Sequence, residues 1–170
     1  MDERRVTRSG LSPEQVDYLI ESGDFTPKEL ADAQARVARG DLAAEERATR
    51  QQAIDESLGL SEVAELLGAS TEDVDRRRVD GALFAFRANH EFRYPTWQFT
   101  GDPQRPVLPG LERLVQALPT DWPPAGIRGF MLTPQRSARI DGVPATPVEW
   151  LVAGGDPQVL SDILNSFLQS

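Results

Sequence analysis

The sequence predicts a mainly α protein: N-terminal helices, a central winged helix-turn-helix with a small β-hairpin, and a C-terminal helical domain. Three observations lead there. Helix starts recur in one form, with a capping side chain before a proline, at Ser12-Pro13, Thr26-Pro27, Thr146-Pro147 and Asp156-Pro157. The stretch SEVAELLGASTEDVDRRRVDGALFAFRANHEFRYPTWQF, Ser61 to Phe99, reads as helix, glycine-containing turn, helix, then two alternating aromatic-rich runs. From Leu108 onward, apolar residues return at helical spacing between clear breaks.

The bulk properties narrow the function classes. At 170 residues the chain suits one or two small domains. No apolar run reaches the length of a transmembrane helix. The opening MDERRVTRSG has no apolar stretch behind it, so no secretory signal is expected and a cytoplasmic location is. Without cysteine there are no disulfides or thiolate metal sites. A net charge of −9 argues against coating nucleic acid by bulk attraction. Residues 59–100 hold seven acids against five bases, so any DNA contact there needs a local basic patch.

The first section, residues 1–58, is expected to be helical. Val16, Leu19 and Ile20 share a face of a short helix ending near Ser22-Gly23. A second helix should run from Pro27 to Ala38, and a third from Leu42 to Leu58. The third is polar and reads as an exposed connector, or one packed only on a partner. In residues 59–100, Ser61 is the expected cap of a helix carrying Val63, Ala64 and Leu67, ended by Gly68. Ser70 caps the next, Thr71 to Val79, with Asp73 as a weaker capping box. Leu83–Arg87 and Glu91–Tyr94 form the hairpin around Ala88-Asn89-His90. Pro95 ends it, and Thr96–Phe99 is a helical turn. Residues 100–106 are loop chemistry and mark a domain break.

In residues 107–170, Leu111, Leu114, Val115 and Leu118 share a helix face, and Ile127, Phe130 and Met131 another. Gln135 to Ala145 is polar and expected to be a loop. Val148, Trp150 and Leu151 lie on a helix ended by Gly154-Gly155. In the last helix Val159, Leu160, Ile163 and Leu164 should be inside, with Phe167 and Leu168 more exposed. Trp97, Trp122 and Trp150 are expected core anchors, Trp122 being the best placed for an interface.

The expected DNA-binding residues are Thr71, Arg76, Arg77 and Arg78 on the reader helix, and Arg87, Asn89, His90 and Arg93 on the wing. Arginine pairs bidentately with guanine and grips phosphate, and Asn can read adenine. Glu72, Asp73 and Asp75 at the start of that helix suit its dipole but repel phosphate. The competing reading is a wing-like fold whose Arg run is a solvated face. Arg78 stands where Val74 calls for an apolar partner: either it snorkels or Val79 takes the role in a shifted register. His90, the sole histidine, is a wing-tip residue rather than a metal ligand.

The segments VLPGLERLVQALP, FMLTPQ and DGVPATPVEWLVAGGDPQVLSDIL resemble the toxin-binding domain of Xre/MbcA/ParS-type antitoxins. Thr146 to Leu151, then Gly154-Gly155-Asp156-Pro157 and Val159, carry the likeness. The middle section separately resembles excisionase-like or MerR-like winged helix-turn-helix domains. The first resemblance implies an antitoxin that silences a RES-domain, NAD-consuming toxin and represses its own operon by binding double-stranded operator DNA. It implies toxin-facing positions at Trp150, Leu151, Gly154, Asp156, Pro157, Phe167, Leu168, Gln169 and Ser170. The chain departs from such antitoxins in its excisionase-like reader and long N-terminal section.

The alternative is a stand-alone transcription regulator or excisionase-like architectural factor whose C-terminal helices dimerise. A homodimer is the default, since paired half-sites are common. No phosphate loop, nucleophile system or paired metal-binding histidines occur, so no catalysis, cofactor or metal is expected.

Overall fold

The protein is described by a computed structural model covering residues 13–23 and 25–170. It is mainly helical, with small antiparallel sheets. The chain divides into two units between Thr49 and Arg50, and each is taken by itself.

The first unit holds α1 (Pro13–Glu21), α2 (Pro27–Ala38) and the first part of α3 (Asp41–Asp55). Ser12, the expected cap of α1, lies outside the described residues, as does the opening decapeptide. At α2 the capping box is complete. The Glu29 amide donates to Thr26 Oγ1 at 3.2 Å, and the Thr26 amide donates back to the Glu29 carboxylate at 2.8 Å. The Thr26 amide, and then the Thr26 hydroxyl, donate to the Glu29 carboxylate and hold it below its ordinary range. Among the helices' described residues only Leu30 is buried in this unit.

The second unit begins with the end of α3, which stops three residues short of its expected limit. Ser57–Leu58 then form a strand, β1, where a helix was expected. The helix-turn-helix follows as α4 (Leu60–Leu67) and α5 (Thr71–Val79). Gly59, not Ser61, caps α4: the Gly59 amide donates to the Glu62 carboxylate at 2.6 Å. Ser70 caps α5 as expected, accepting from the Asp73 amide at 3.1 Å. Val63 and Val74 meet in the core with no exposure.

The wing is β2 (Phe86–Ala88) and β3 (Glu91–Pro95), and β3 also pairs with β1 to give the order β1-β3-β2. The register sets Phe86 opposite Arg93, Arg87 opposite Phe92 and Leu58 opposite Tyr94. Alternation then sorts the side chains. Arg87, Phe92, Tyr94 and Leu58 share one face; Phe86, Arg93, Pro95 and Ser57 share the other. Thr96–Gln98 form the expected helical turn, here 3-10.

The segment 100–106 is a closed local loop, not an open linker. Thr100 Oγ1 donates to the Arg105 carbonyl and accepts from the Asp102 amide. A bridge between Phe99 and Val107 shuts its base. Beyond it come α6 (Leu111–Ala117), α7 (Pro124–Leu132), α8 (Pro147–Val152) and α9 (Pro157–Leu168). Residues 135–145 are a hairpin rather than a loop: β4 (Gln135–Ile140) pairs with β5 (Val143–Ala145) across Asp141-Gly142. Both turn residues have positive φ, the type I′ geometry that this dipeptide favours.

Helix α6 packs on α9, and β4 packs on α8 and α9. At the α6–α9 contact Gly110 has φ +72°, and a Cβ there would stand 2.3 Å from Pro157 Cγ. One hydrophobic cluster runs from Val63 and Val74 through Tyr94 and Trp97 to Leu114, Met131 and Leu164. Residues 59–100 and 107–170 therefore share a core.

Gln98 sits inside that core with no exposure. Its amide nitrogen donates to the carbonyls of Phe84 (2.8 Å) and Pro95 (3.1 Å), and its Oε1 accepts from the Phe84 amide at 2.9 Å. Gln98→Leu should destabilise the fold by about 3–5 kcal/mol, since three buried main-chain groups lose their partners. Urea unfolding reads this directly, and a midpoint unchanged from the parent protein would contradict it.

Candidate nucleic-acid interface

Helix α5 positions three arginines, each with a carboxylate of its own helix. Arg76 Nη1 lies 3.7 Å from Asp73 Oδ1, and Arg77 Nη2 3.0 Å from Asp73 Oδ2. One carboxylate thus serves two guanidinium groups. Their side chains remain 70% and 42% exposed. Surface pairs of this kind contribute about 0–1 kcal/mol, so a phosphate can displace them at small cost.

Arg78 is held differently. It donates to Asp75 Oδ1 through both Nε (3.1 Å) and Nη2 (2.7 Å), and its guanidinium lies 3.8 Å from the Phe92 ring centroid. The open question at this position is settled by snorkelling, because Val79 is exposed. Arg87 stands 5.3 Å from the same ring. The Arg78 contact joins the end of α5 to the wing, and the Arg87 contact lies within the wing, each of order 0.5–2 kcal/mol.

Below Phe92, Tyr94 is fully buried, and among the described residues no group makes a hydrogen bond of ordinary geometry to its hydroxyl, Arg78 being the nearest interacting side chain. Burial pushes that phenol's pKa up, with Arg78 opposing and Asp75 adding to the rise.

The wing tip is a two-residue turn. Asn89 (φ 52°) and His90 (φ 68°) are both left-handed and both exposed. A tight I′ turn projects them beyond the sheet with few alternative conformations. Thr71 is half-buried at the first position of α5, its hydroxyl 3.4 Å from the Glu72 carboxylate.

Arg93 does not belong to this surface. Its Nε donates to Ser57 Oγ at 2.9 Å, and its Nη2 to the Ser57 carbonyl at 2.9 Å and the Ile54 carbonyl at 3.4 Å. It ties β3 to the end of α3. The two-residue turn could have revealed this, since its register sends Arg87 and Arg93 to opposite faces. Arg78 is likewise committed to Asp75 and Phe92. Arg76, Arg77, Arg87, Asn89 and His90 are left as the accessible set.

The positions implied at the carboxyl end separate too. Leu151 is fully buried and is a core residue, not a contact surface. Trp150 is half-buried: its indole N–H donates to the Asp156 carbonyl at 3.0 Å, and a Cβ on Gly155 would stand 2.3 Å from its ring. Gly154, at φ +86°, turns the chain out of α8. Asp156 caps α9, accepting from the Gln158 amide at 2.9 Å, and Pro157 is the first helical residue. The Thr-Pro and Gly-Gly-Asp-Pro pattern is thus two helix caps and the turn between them. Of these implied positions, the tail carries the exposed large apolar side chains. Phe167 is 53% and Leu168 58% exposed, with Gln169 and Ser170 exposed beyond them. The Phe167 ring also lies 6.2 Å from that of Trp122, itself half-buried.

Sequence reasoning missed Gln98 and an ion pair between Glu56 and Arg128, which joins the end of α3 to α7. Hydrogen bonds from Arg128, and then from Gln52, hold the Glu56 carboxyl below its ordinary range. Neither residue carries a local pattern signal. Among the described residues no cluster of three metal-ligating side chains occurs, and no helix is long and apolar enough to cross a membrane.

No protein-family model matches the chain, and no curated protein does. Among solved structures the chain is similar to one described as the NMR structure of Rv2175c. Identity is 27%, the match covers 65% of this chain and 80% of that one, and the TM-score is 0.48.

Arg93→Met should cost about 2–3 kcal/mol of stability, through lost bonds to Ser57 and Ile54. Where the variant remains folded, any affinity of the parent protein for duplex DNA should be retained within about twofold. A tenfold loss of DNA affinity in the folded variant would return Arg93 to the interface.

Proposed function

We propose that the protein binds double-stranded DNA through α5 and the β2–β3 wing, and represses the operon that encodes it. The observation that carries this reading is the joint surface around Phe92. There the exposed arginines of α5, Arg87 and the rigid Asn89-His90 tip belong to one helix-and-wing unit. Arg76 and Arg77 are the side chains offered to the major groove. Arg87, Asn89 and His90 are offered to the flanking backbone or minor groove. Asp73 competes with phosphate for both helix arginines and weakens indiscriminate binding. The chain then binds as a homodimer across paired half-sites.

This is tested by anisotropy on a labelled duplex from the protein's own promoter region. Replacing Arg76 and Arg77 with Ala should weaken binding about 10- to 100-fold and lower the salt slope by about 2. Asp73→Asn should tighten binding several-fold, by about 3- to 10-fold. A parent protein that ignores the duplex, or binds it with a flat salt response, would refute the reading.

A second function concerns the carboxyl end, and the exposed Phe167 and Leu168 favour it. On the antitoxin resemblance, this tail docks on a RES-domain toxin and silences it. If a RES-domain protein is encoded beside this chain, co-expression with it should give a stable complex and restore growth. Deleting residues 167–170 should abolish both while sparing DNA binding. If nothing toxic adjoins the gene and the protein regulates alone, the stand-alone regulator takes its place.

A further inference from the structure

The chain holds one histidine and no cysteine. Histidine is the side chain whose ordinary titration falls between about pH 5 and 8. Hydrogen bonds move the Glu29 and Glu56 carboxyls further below that window, and burial moves the Tyr94 phenol further above it. The one imidazole is therefore the side chain that changes charge near neutral pH, and it stands at the wing tip.

Its placing there is specific. His90 is exposed, and its φ of 68° follows Asn89 at 52°, so the turn fixes where the ring leaves the chain. Among the described residues no hydrogen bond or ion pair holds that ring. Alternation along β3 sends Glu91, the adjacent carboxylate, to the face opposite Phe92 and Arg87. The charged groups on the α5 side of the tip are Arg87 and the Arg78–Asp75 pair. On the other side are Glu91 and Arg93, and Arg93 is bound to Ser57. Helix α4, which packs on β3, brings Glu62, bound to the Gly59 amide, and the exposed Glu65. Strand β1, Ser57–Leu58, brings no charge. The side of the wing that carries Arg87 thus has no carboxylate of its own to satisfy an imidazolium.

We propose that His90 meets a DNA phosphate as the imidazolium, so that binding takes up a proton and repression tightens as pH falls. This rests on the DNA-binding reading and names a regulator of that site. The sign follows from linkage. A phosphate beside the ring favours its charged form, so the imidazole titrates at higher pH in the complex than in the free protein. The gain in affinity is complete below the free-state pKa and is lost as pH rises through the bound-state value. A tenfold gain corresponds to a pKa rise of about one in the complex.

Anisotropy on the labelled promoter duplex, at fixed ionic strength between about pH 5.5 and 8, reads the effect. The parent Kd should rise about 5- to 10-fold across that window. His90→Asn, whose side chain suits a left-handed turn position, should hold its Kd constant within about twofold. His90→Arg keeps the charge at every pH, so it should show no pH response and bind at pH 8 more tightly than the parent. Calorimetry near pH 7 in two buffers of different ionisation heat should show uptake of about half a proton per protomer by the parent and none by His90→Asn.

A parent Kd that stays constant across the window would overturn the proposal and leave the DNA-binding reading standing. So would a pH response that His90→Asn retains, a heat of binding independent of the buffer, or a His90→Arg variant no tighter than the parent at pH 8. A parent that binds no duplex at any pH would overturn both.

Discussion

The architecture depends on one buried amide. Three chain segments meet at Gln98: the exit from α5 at Phe84, the end of the wing at Pro95, and the entry to the C-terminal helices at Leu108. Its side chain satisfies the first two, and its main-chain carbonyl accepts from the Leu108 amide at 2.9 Å. Each is irregular backbone that would otherwise carry unpaired polar groups into an apolar interior. A shorter side chain could not span Phe84 and Pro95 together, and an apolar one would leave both unsatisfied. The amide supplies two donors and an acceptor, the complement those segments require.

This constraint explains why the reader unit and the helical end are not separate modules. The sheet that forms the wing has α4 and α5 on one face and Arg93 anchored to the end of α3 on the other. Glu56, one residue before β1, reaches Arg128 on α7. Its carbonyl also accepts from the Thr96 amide and from Thr96 Oγ1, both at 3.0 Å. A displacement of α7 is therefore felt at the base of the wing through packed side chains and directed bonds, not through a tether. The closed loop at 100–106 fits the same picture, because a hinge there would have to break the Phe99–Val107 bridge.

What the sequence disclosed follows from the range of each interaction. Caps act over three residues, so the starts of α2, α5, α8 and α9 were legible from Thr26, Ser70, Thr146 and Asp156. The wing was legible because aromatic alternation is a local signal. The β4–β5 hairpin was not, because Gln135, Ser137 and Arg139 alternate with Arg136, Ala138 and Ile140. Only the small Ala138 marks the buried side. Its Asp141-Gly142 turn was the available cue. Gly59 displaced Ser61 as a cap because Glu62 reaches back to a main-chain amide, a bond that needs no side chain at the cap itself. Arg93 and Leu151 lie off the surfaces expected of them for one reason: residue type suggests what a side chain can do, whereas register and burial decide which surface it reaches. Gln98 and the Glu56–Arg128 pair join residues too far apart in the chain for any pattern to announce.

The electrostatics of the reader helix follow from the chain's overall charge. On the proposed function, a chain at −9 would approach DNA against a repulsive field, so attraction would have to come from cations close to the phosphates. Asp73 divides its charge between Arg76 and Arg77, which leaves roughly one positive charge uncompensated among the three groups. Asp75 neutralises Arg78, whose guanidinium lies over the Phe92 ring. A helix built this way gains less from phosphate than two unpaired arginines would. Favourable binding requires Arg76 and Arg77 to leave Asp73 for partners that both accept hydrogen bonds and fit the groove. On the proposed function, the local acid would therefore raise the share of binding energy that depends on geometry, and with it the discrimination between a matching duplex and any other.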